Sequence, residues 1–333
     1  KITSMEVAKL AGVSQSAVSR VFTPGASSSK KTNELVRKAA AELGYRPNVL
    51  ARSLITGKSR MIGLVVAYLD NYFYPEALEL LSSALQKKGY HVLIFMSGNK
   101  EGDIADAVDE ILDYQVDGII AASVSMSSDL AKRCTSAGVP VVLFNRTQDD
   151  DRLSAVTSDN FQGGQKVARF LLAGGHKRIG YIAGWEGAST QRDREKGFTE
   201  ELVRNGQELY AREVGNFNSD EARQAARTMF SKQNFPDAVF VANDAMAIAV
   251  IDVIRFELGL QVPEQVSVVG YDDVPISSWP AYDLTTVRQP ANRMVAETVS
   301  ILIESIENKT TTARRIEIDG PLMVRGSAKI SDK

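Results

Sequence analysis

The stretch Thr3-Ser-Met-Glu-Val-Ala-Lys-Leu-Ala-Gly-Val-Ser-Gln-Ser-Ala-Val-Ser-Arg-Val-Phe-Thr23 decides how this chain is read. Ser4 or Thr3 can cap a helix whose apolar face is Val7, Ala8, Leu10 and Ala11, and Gly12 can end it. Ser14 caps a second helix almost at once. Within it Ala17, Val18, Val21 and Phe22 recur at helical spacing, while Gln15, Ser16, Ser19, Arg20 and Thr23 share the opposite face. A third amphipathic helix, Lys31 to Leu43, turns Leu35, Val36, Ala39 and Leu43 inward and stops at Gly44. Two short helices joined by a tight glycine turn, with a third covering them, is the helix-turn-helix plan.

Charge supports that reading. Residues 1–60 hold eleven Lys and Arg against three Glu, whereas the rest of the chain is acidic enough to bring the whole to a net -2. A basic module on an acidic body points to one segment that meets a polyanion. On the polar face of the second helix, Arg20 can donate two hydrogen bonds to guanine and Gln15 can pair with adenine, with Ser16 adaptable. Lys30, Lys31, Arg37 and Lys38 suit phosphates.

Val7-Ala-Lys-Leu-Ala-Gly-Val-Ser14, then Ala17-Val-Ser-Arg-Val-Phe22, Gly44-Tyr-Arg-Pro-Asn48 and Ala51-Arg-Ser-Leu54, follow one another in an order and spacing that resemble the lactose-repressor/galactose-repressor family of bacterial transcriptional regulators. The resemblance implies that Gln15, Ser16 and Arg20 are the main major-groove readers, with Ser14 and Ser19 beside them. Pro47 to Gly57 then forms a hinge helix, barely two turns long and marginal alone. Paired with its copy from a second subunit it would lie in the DNA minor groove, with Asn48, Ala51, Leu54 and Ile55 facing DNA and Leu54 as the apolar wedge. Some relatives carry a basic residue where this chain has Ile55.

From Met61 onward short apolar runs alternate with amphipathic stretches. Strands are expected at Ile62–Tyr68, His91–Met96, Gly118–Ala122, Val141–Phe144, Arg178–Ile182, Ala238–Ala242, Val266–Gly270 and Leu322–Arg325. Helices are expected at Glu76–Lys88, Asp129–Ala137, Phe161–Leu172, Thr190–Asn205, Asp220–Lys232, Ala245–Leu258 and Met294–Glu307. Such alternation reads as doubly wound parallel α/β sheets, and there are too many units for one sheet. The expected organisation is therefore an all-α helix-turn-helix domain (1–46), a hinge (47–60) and a two-lobed effector domain (61–333). The resemblance makes its lobes periplasmic-binding-protein-like, with lobe 1 at about 61–159 and 290–318, lobe 2 at about 160–289 and 319–333, and crossovers near Asp159, Gln289 and Asp319.

In open α/β sheets ligands sit beyond the carboxyl ends of strands. Candidate effector contacts by that rule and by the resemblance are Phe73, Tyr74, Asn145, Arg146, Arg194, Phe217, Asn243, Asp272 and Gln289. Tyr74 serves equally well as packing, and Asp244 reads as a helix cap. A paired Arg194 and Asp272 suit vicinal hydroxyls, the carboxylate accepting and the guanidinium donating. A sugar is the expected effector, and Arg146, Arg192 and Arg194 extend this to a sugar acid or a phosphorylated sugar. A purine or nucleoside is the alternative.

An enzyme is not expected: there is no G-x-S-x-G elbow and no P-loop, and Gly184-Trp-Glu-Gly187 has the wrong spacing for a dinucleotide turn. Neither a cofactor nor a metal is expected, since one Cys and two His stand in no ligand spacing. A periplasmic sugar-binding protein would share the fold but begin with a signal peptide instead of a basic helix-turn-helix. The expected partners are double-stranded DNA bearing a pseudo-palindrome, a small molecule and a second copy of the chain, in the cytoplasm and without a membrane. No leucine heptads follow the last expected strand, which favours a dimer over a tetramer.

Overall fold

The computed structural model of the chain describes residues 2–23, 25–46, 57–67, 69–97, 101–124, 126–148, 152–231, 233–308 and 312–330. Two compact units divide the chain at Arg60 and Met61.

The first unit is a three-helix cluster: α1 (Ser4–Ala11), α2 (Gln15–Phe22) and α3 (Lys30–Leu43). Thr3 is the cap of α1, in a reciprocal box with Glu6, and Gly12 ends the helix at φ 66°, the left-handed turn that lets α2 start three residues later under the Ser14 cap. Val7, Ala8, Ala11, Val18, Val21, Val36, Ala39 and Ala40 form the core. Leu10 and Leu35, expected inside, are 47% and 41% exposed. Each sits at the margin of its helix stripe, and a core this small is filled by valines and alanines before it reaches them.

The second unit holds two six-stranded sheets. The first runs β11-β5-β4-β3-β1-β2, all parallel, from β1 (Met61–Val66), β2 (His91–Met96), β3 (Gly118–Ala122), β4 (Val141–Phe144), β5 (Ser154–Ser158) and β11 (Arg315–Ile318). The second runs β12-β10-β9-β8-β6-β7, from β6 (Ile179–Ala183), β7 (Ala211–Val214), β8 (Ala238–Val241), β9 (Ser267–Asp272), β10 (Thr285–Arg288) and the antiparallel edge β12 (Leu322–Met323). Their common core order, 2-1-3-4-5 within each sheet, puts a topological switch point between β1 and β3 in one and between β6 and β8 in the other.

Helices α4 (Phe73–Lys87), α5 (Glu101–Asp113), α6 (Ser128–Ser136) and α11 (Ala291–Asn308) cover the first sheet; α7 (Asn160–Ala173), α8 (Ser189–Arg204), α9 (Ser219–Phe230) and α10 (Asp244–Asp252) cover the second. The chain passes between the sheets three times, after β5, after β10 and after β11. Strands β5, β7, β10 and β11 and helix α5 were not anticipated. Ser-Ala-Val-Thr-Ser of β5 is polar yet fully buried, because ladder bonds on both sides satisfy its backbone and no apolar run announces it. The helix expected at Ala245–Leu258 ends at Asp252 and continues as a wider turn, Val253–Glu257.

Candidate functional site

Ser14, Gln15, Ser16, Ser19 and Arg20 are all exposed on one side of α2. Ser14 Oγ accepts from the Ala17 amide at 3.2 Å and lies 2.9 Å from Ser16 Oγ, so this serine works first as a cap. Gln15 Nε2 donates to Ser4 Oγ at 2.9 Å, which steadies the side chain without hiding its carbonyl oxygen. Arg20 forms no ion pair or side-chain hydrogen bond among the described residues. An unsatisfied guanidinium on a helix that packs its other face on Val18 and Val21 is free to pair with a base edge. Arg37, by contrast, donates to Asn33 Oδ1 at 2.6 Å and lies over the Phe22 ring. The hinge positions Asn48, Ala51, Leu54 and Ile55 lie outside the described residues.

The second site lies between the sheets, where loops after β1, β4, β6, β8, β9 and β10 converge. Asp272, the last residue of β9, is buried at φ 123°, a conformation costly for a non-glycine residue. Its turn is held from two sides. Asp273 accepts from Arg288 Nε and Arg325 Nη2, both at 2.6 Å. Asp244 accepts from the Val274 amide, Ser277 Oγ at 2.7 Å and Thr286 Oγ1 at 2.6 Å. Asp244 is thus not the helix cap expected. Asn243 caps α10, its Oδ1 accepting from the Met246 amide at 3.0 Å, and the carboxylate one residue on braces the Asp272 turn.

Arg194 approaches Asp272 with Nη2 3.7 Å from Oδ1, an ion pair without a direct hydrogen bond. Its guanidinium lies 3.7 Å from the centre of the Tyr271 ring, donates from Nε to Asn160 Oδ1 at 2.8 Å and from Nη1 to the Ala242 carbonyl at 2.5 Å. Gln289 Nε2 donates to Asp272 Oδ1 at 2.7 Å, and Asn71 Nδ2 to Oδ2 at 3.4 Å. Burial raises the carboxyls of Asp272 and Asp244 above the usual carboxylate range, with Arg194 pulling Asp272 partly back and the two acids disfavouring each other's charge.

Placement of Arg194 depends on two glycines. A Cβ on Gly164 of α7 would strike the Arg194 carbonyl, and one on Gly197 of α8 the Phe161 carbonyl. The helices therefore approach backbone to backbone, and no other residue allows this crossing.

Phe73 and Tyr74 begin α4 inside the core, Phe73 stacked 6.2 Å from Phe144, while the Tyr74 hydroxyl oxygen accepts from Asn145 Nδ2 at 3.1 Å. Asn145, at φ 59°, and Arg146 follow β4 and are buried. Phe217 is half-buried against Gly184. Three atoms of this group are buried without a hydrogen-bond partner among the described residues: Asn145 Oδ1, Asn243 Nδ2 and Gln289 Oε1. They come from both lobes and a crossover, and offer two acceptors and one donor to whatever enters.

Sequence reasoning missed Asn71, Asn160, Ser189 and Trp185. Trp185 lay within the Gly184–Gly187 stretch, read there only for its glycine spacing. Asn71, Asn160 and Ser189 gave no signal of their own, since each acts across the cleft or on another helix. Arg192, expected near the cleft, is exposed.

A helix-turn-helix unit followed by a two-sheet, ligand-cleft unit defines a DNA-binding transcriptional regulator. Residues 3–48 match the family model described as bacterial regulatory proteins, lacI family, and residues 168–328 match a periplasmic binding protein-like domain. The HTH-type transcriptional repressor PurR of Pasteurella multocida (strain Pm70) is 31% identical over 98% of both chains. Among solved structures, a complex of the transcriptional regulator CelR with cellobiose is 31% identical, covering 98% of this chain and 100% of that one at a TM-score of 0.74. A lac repressor dimer bound to operator and the anti-inducer ONPF is 28% identical over 98% of both chains at a TM-score of 0.89. The chain belongs to the lacI family of bacterial regulatory proteins. Its relatives are regulators rather than enzymes, and no described helix is long and apolar enough to cross a membrane.

Proposed function

We propose that this regulator is a repressor whose operator affinity is set by a small carbohydrate held between its lobes. The observation that carries the reading is the buried Arg194–Asp272 pair, held without a direct hydrogen bond and flanked by the unpartnered amide atoms of Asn145, Asn243 and Gln289. Such a set takes a molecule whose polar groups both donate and accept, which is the nature of a hydroxyl. The cellobiose complex of a 31% identical regulator supports the same class. Arg194 is already engaged by Asp272, Asn160 and Ala242, and this weighs toward a neutral sugar over a sugar acid.

Residues 1–46 are the DNA-binding domain in this reading, with Gln15, Ser16 and Arg20 on base edges and Ser14 and Ser19 at the groove wall. Residues 47–60 connect it to an effector domain whose lobes exchange chain near Asp159, Gln289 and Asp319. The protein works in the cytoplasm as a homodimer on a pseudo-palindrome, because a two-fold protein meets two symmetric half-sites. Exposed Ile94 and Met96 on the edge strand β2, with Tyr114 beside them, and Phe256 on the other lobe supply apolar surface for a second copy.

A thermal-shift panel of sugars, sugar acids and nucleobases finds the effector, since a ligand of the folded state raises its melting temperature. Asp272→Asn, which removes the charge and keeps the shape, should abolish that shift and the effector's influence on a mobility-shift assay. Operator binding without effector should stay near wild type if the ligand is an inducer. A variant that binds and responds normally removes Asp272 from the site.

A further inference from the structure

The loop that follows β6, Gly184-Trp185-Glu186-Gly187, is fixed far more firmly than a surface connection requires. Gln191, buried in the first turn of α8, accepts from the Gly184 amide at 2.6 Å and from Tyr181 Oη at 2.8 Å, and donates to Glu195 Oε2 at 2.7 Å. Arg212 on β7 grips both Glu195 and Glu186, the latter at 2.7 Å. The Ala188 amide closes the loop on the Trp185 carbonyl at 3.0 Å, and Gly187 packs so near the indole that a Cβ there would collide with it. All of this holds one half-exposed aromatic side chain, Trp185, at the topological switch point of the second sheet.

What meets the indole comes from the other lobe. The Arg146 guanidinium, just after β4, lies 5.2 Å from the centre of the Trp185 ring, and the next amide, Thr147, donates to Ser189 Oγ at 2.9 Å. These two contacts bridge the lobes at one end of the cleft. Asn145, whose buried Oδ1 lacks a partner, is the residue immediately before Arg146. The indole and its guanidinium cover therefore meet where the strand order reverses.

We propose that Trp185 is the specificity-determining stacking surface for the effector, and that Arg146 competes for the same indole face. A ring ligand with an apolar C–H face, as a pyranose has, stacks on the indole by displacing the guanidinium, so binding exchanges a cation–π contact between lobes for a ring contact. Trp185 and Arg146 then act on affinity with opposite signs. This inference rests on the reading of the cleft as a carbohydrate site.

Calorimetry with D-glucose, D-galactose, cellobiose and D-gluconate tests it on five proteins: wild type, Trp185→Ala, Trp185→Phe, Arg146→Ala and Asp272→Asn. For whichever sugar binds wild type, Trp185→Ala should lose about ten-fold in affinity or more, Trp185→Phe should recover part of it, and Arg146→Ala should bind several-fold tighter. Binding should also shift the tryptophan emission of wild type, and that shift should vanish in Trp185→Phe. Operator binding by each variant reports that it is folded. If affinity depends on Asp272 but is unchanged in Trp185→Ala, or falls in Arg146→Ala, the stacking proposal is overturned while the cleft reading stands. If no sugar of the panel binds, or binding is indifferent to Asp272 as well, both are overturned.

Discussion

The polar face of α2 and the cleft of the second unit, the two recognition surfaces proposed for this chain, are built by opposite means. On α2 the polar side chains are exposed, and Arg20 has no side-chain partner among the described residues. In the cleft Arg194, Asp272, Asn243 and Gln289 are all buried, with Asp272 ion-paired to Arg194 and accepting from Gln289. A DNA groove brings its own dense array of acceptors and condensed charge, so the protein need only present donors. A small ligand brings a few groups, so the protein must already have removed water and fixed the angles.

Stability should separate the two surfaces. Arg194→Met leaves Asp272 buried without its counter-charge and strands Asn160 Oδ1, and should destabilise the second unit by about 3–5 kcal/mol, read by denaturant melting. A loss below about 1 kcal/mol would mean that the pair is not the keystone of the cleft. Gly164→Ala forces the α7–α8 backbones apart and should cost about 1–3 kcal/mol while weakening effector binding through the displaced Arg194. Unchanged effector affinity in that variant would break the link between helix crossing and site. Arg20→Ala should leave melting within about 0.5 kcal/mol of wild type. It should nevertheless lose about 1–3 kcal/mol of operator discrimination at one guanine per half-site, measured by competition with mutated operators.

The smallest effect is one of pH. Burial holds the Asp272 carboxyl above its unfolded value, with Asp244, Tyr271 and Arg194 around it. The charged form faces Arg194, so effector affinity is complete above the folded pKa and falls as pH drops through it, earlier than for an ordinary carboxylate near 4. Folding responds with the other sign. Since the native state binds the proton more tightly than the unfolded chain, acidification between the two pKa values raises stability. Calorimetric affinity and melting temperature that moved together across mildly acidic pH would remove Asp272 from the role.

Much of the α2 surface was legible because a local pattern creates it: caps at Thr3 and Ser14, Gly12 between them, and a 3.6-residue period with one face polar. What failed there, the exposure of Leu10 and Leu35, depends on how large a core three short helices can fill. The cleft was legible only at strand ends. Asp272 and Asn145 stand where apolar runs stop, but the Asn160–Arg194 bond spans two helices, and the Asp244 brace requires Thr286, some forty residues on, to arrive on β10. Short strands such as Ala211–Val214 and Arg315–Ile318 carry too few residues for a period to show.

The order in which strands enter the first sheet also governs how the protein can be made. Strands β1 to β5 leave the ribosome early, yet α11, whose Met294, Val295, Val299 and Leu302 fill one face of that sheet, arrives some 130 residues later and the edge strand β11 later still. Until then the nascent lobe exposes the apolar groove that α11 will cover, while the second sheet is still being synthesised. Neither lobe can close its core before the other is nearly complete, so a chain cut short near residue 290 leaves two unfinished sheets rather than one folded half and one loose one, and interrupted synthesis yields aggregation-prone polypeptide instead of a partial sensor.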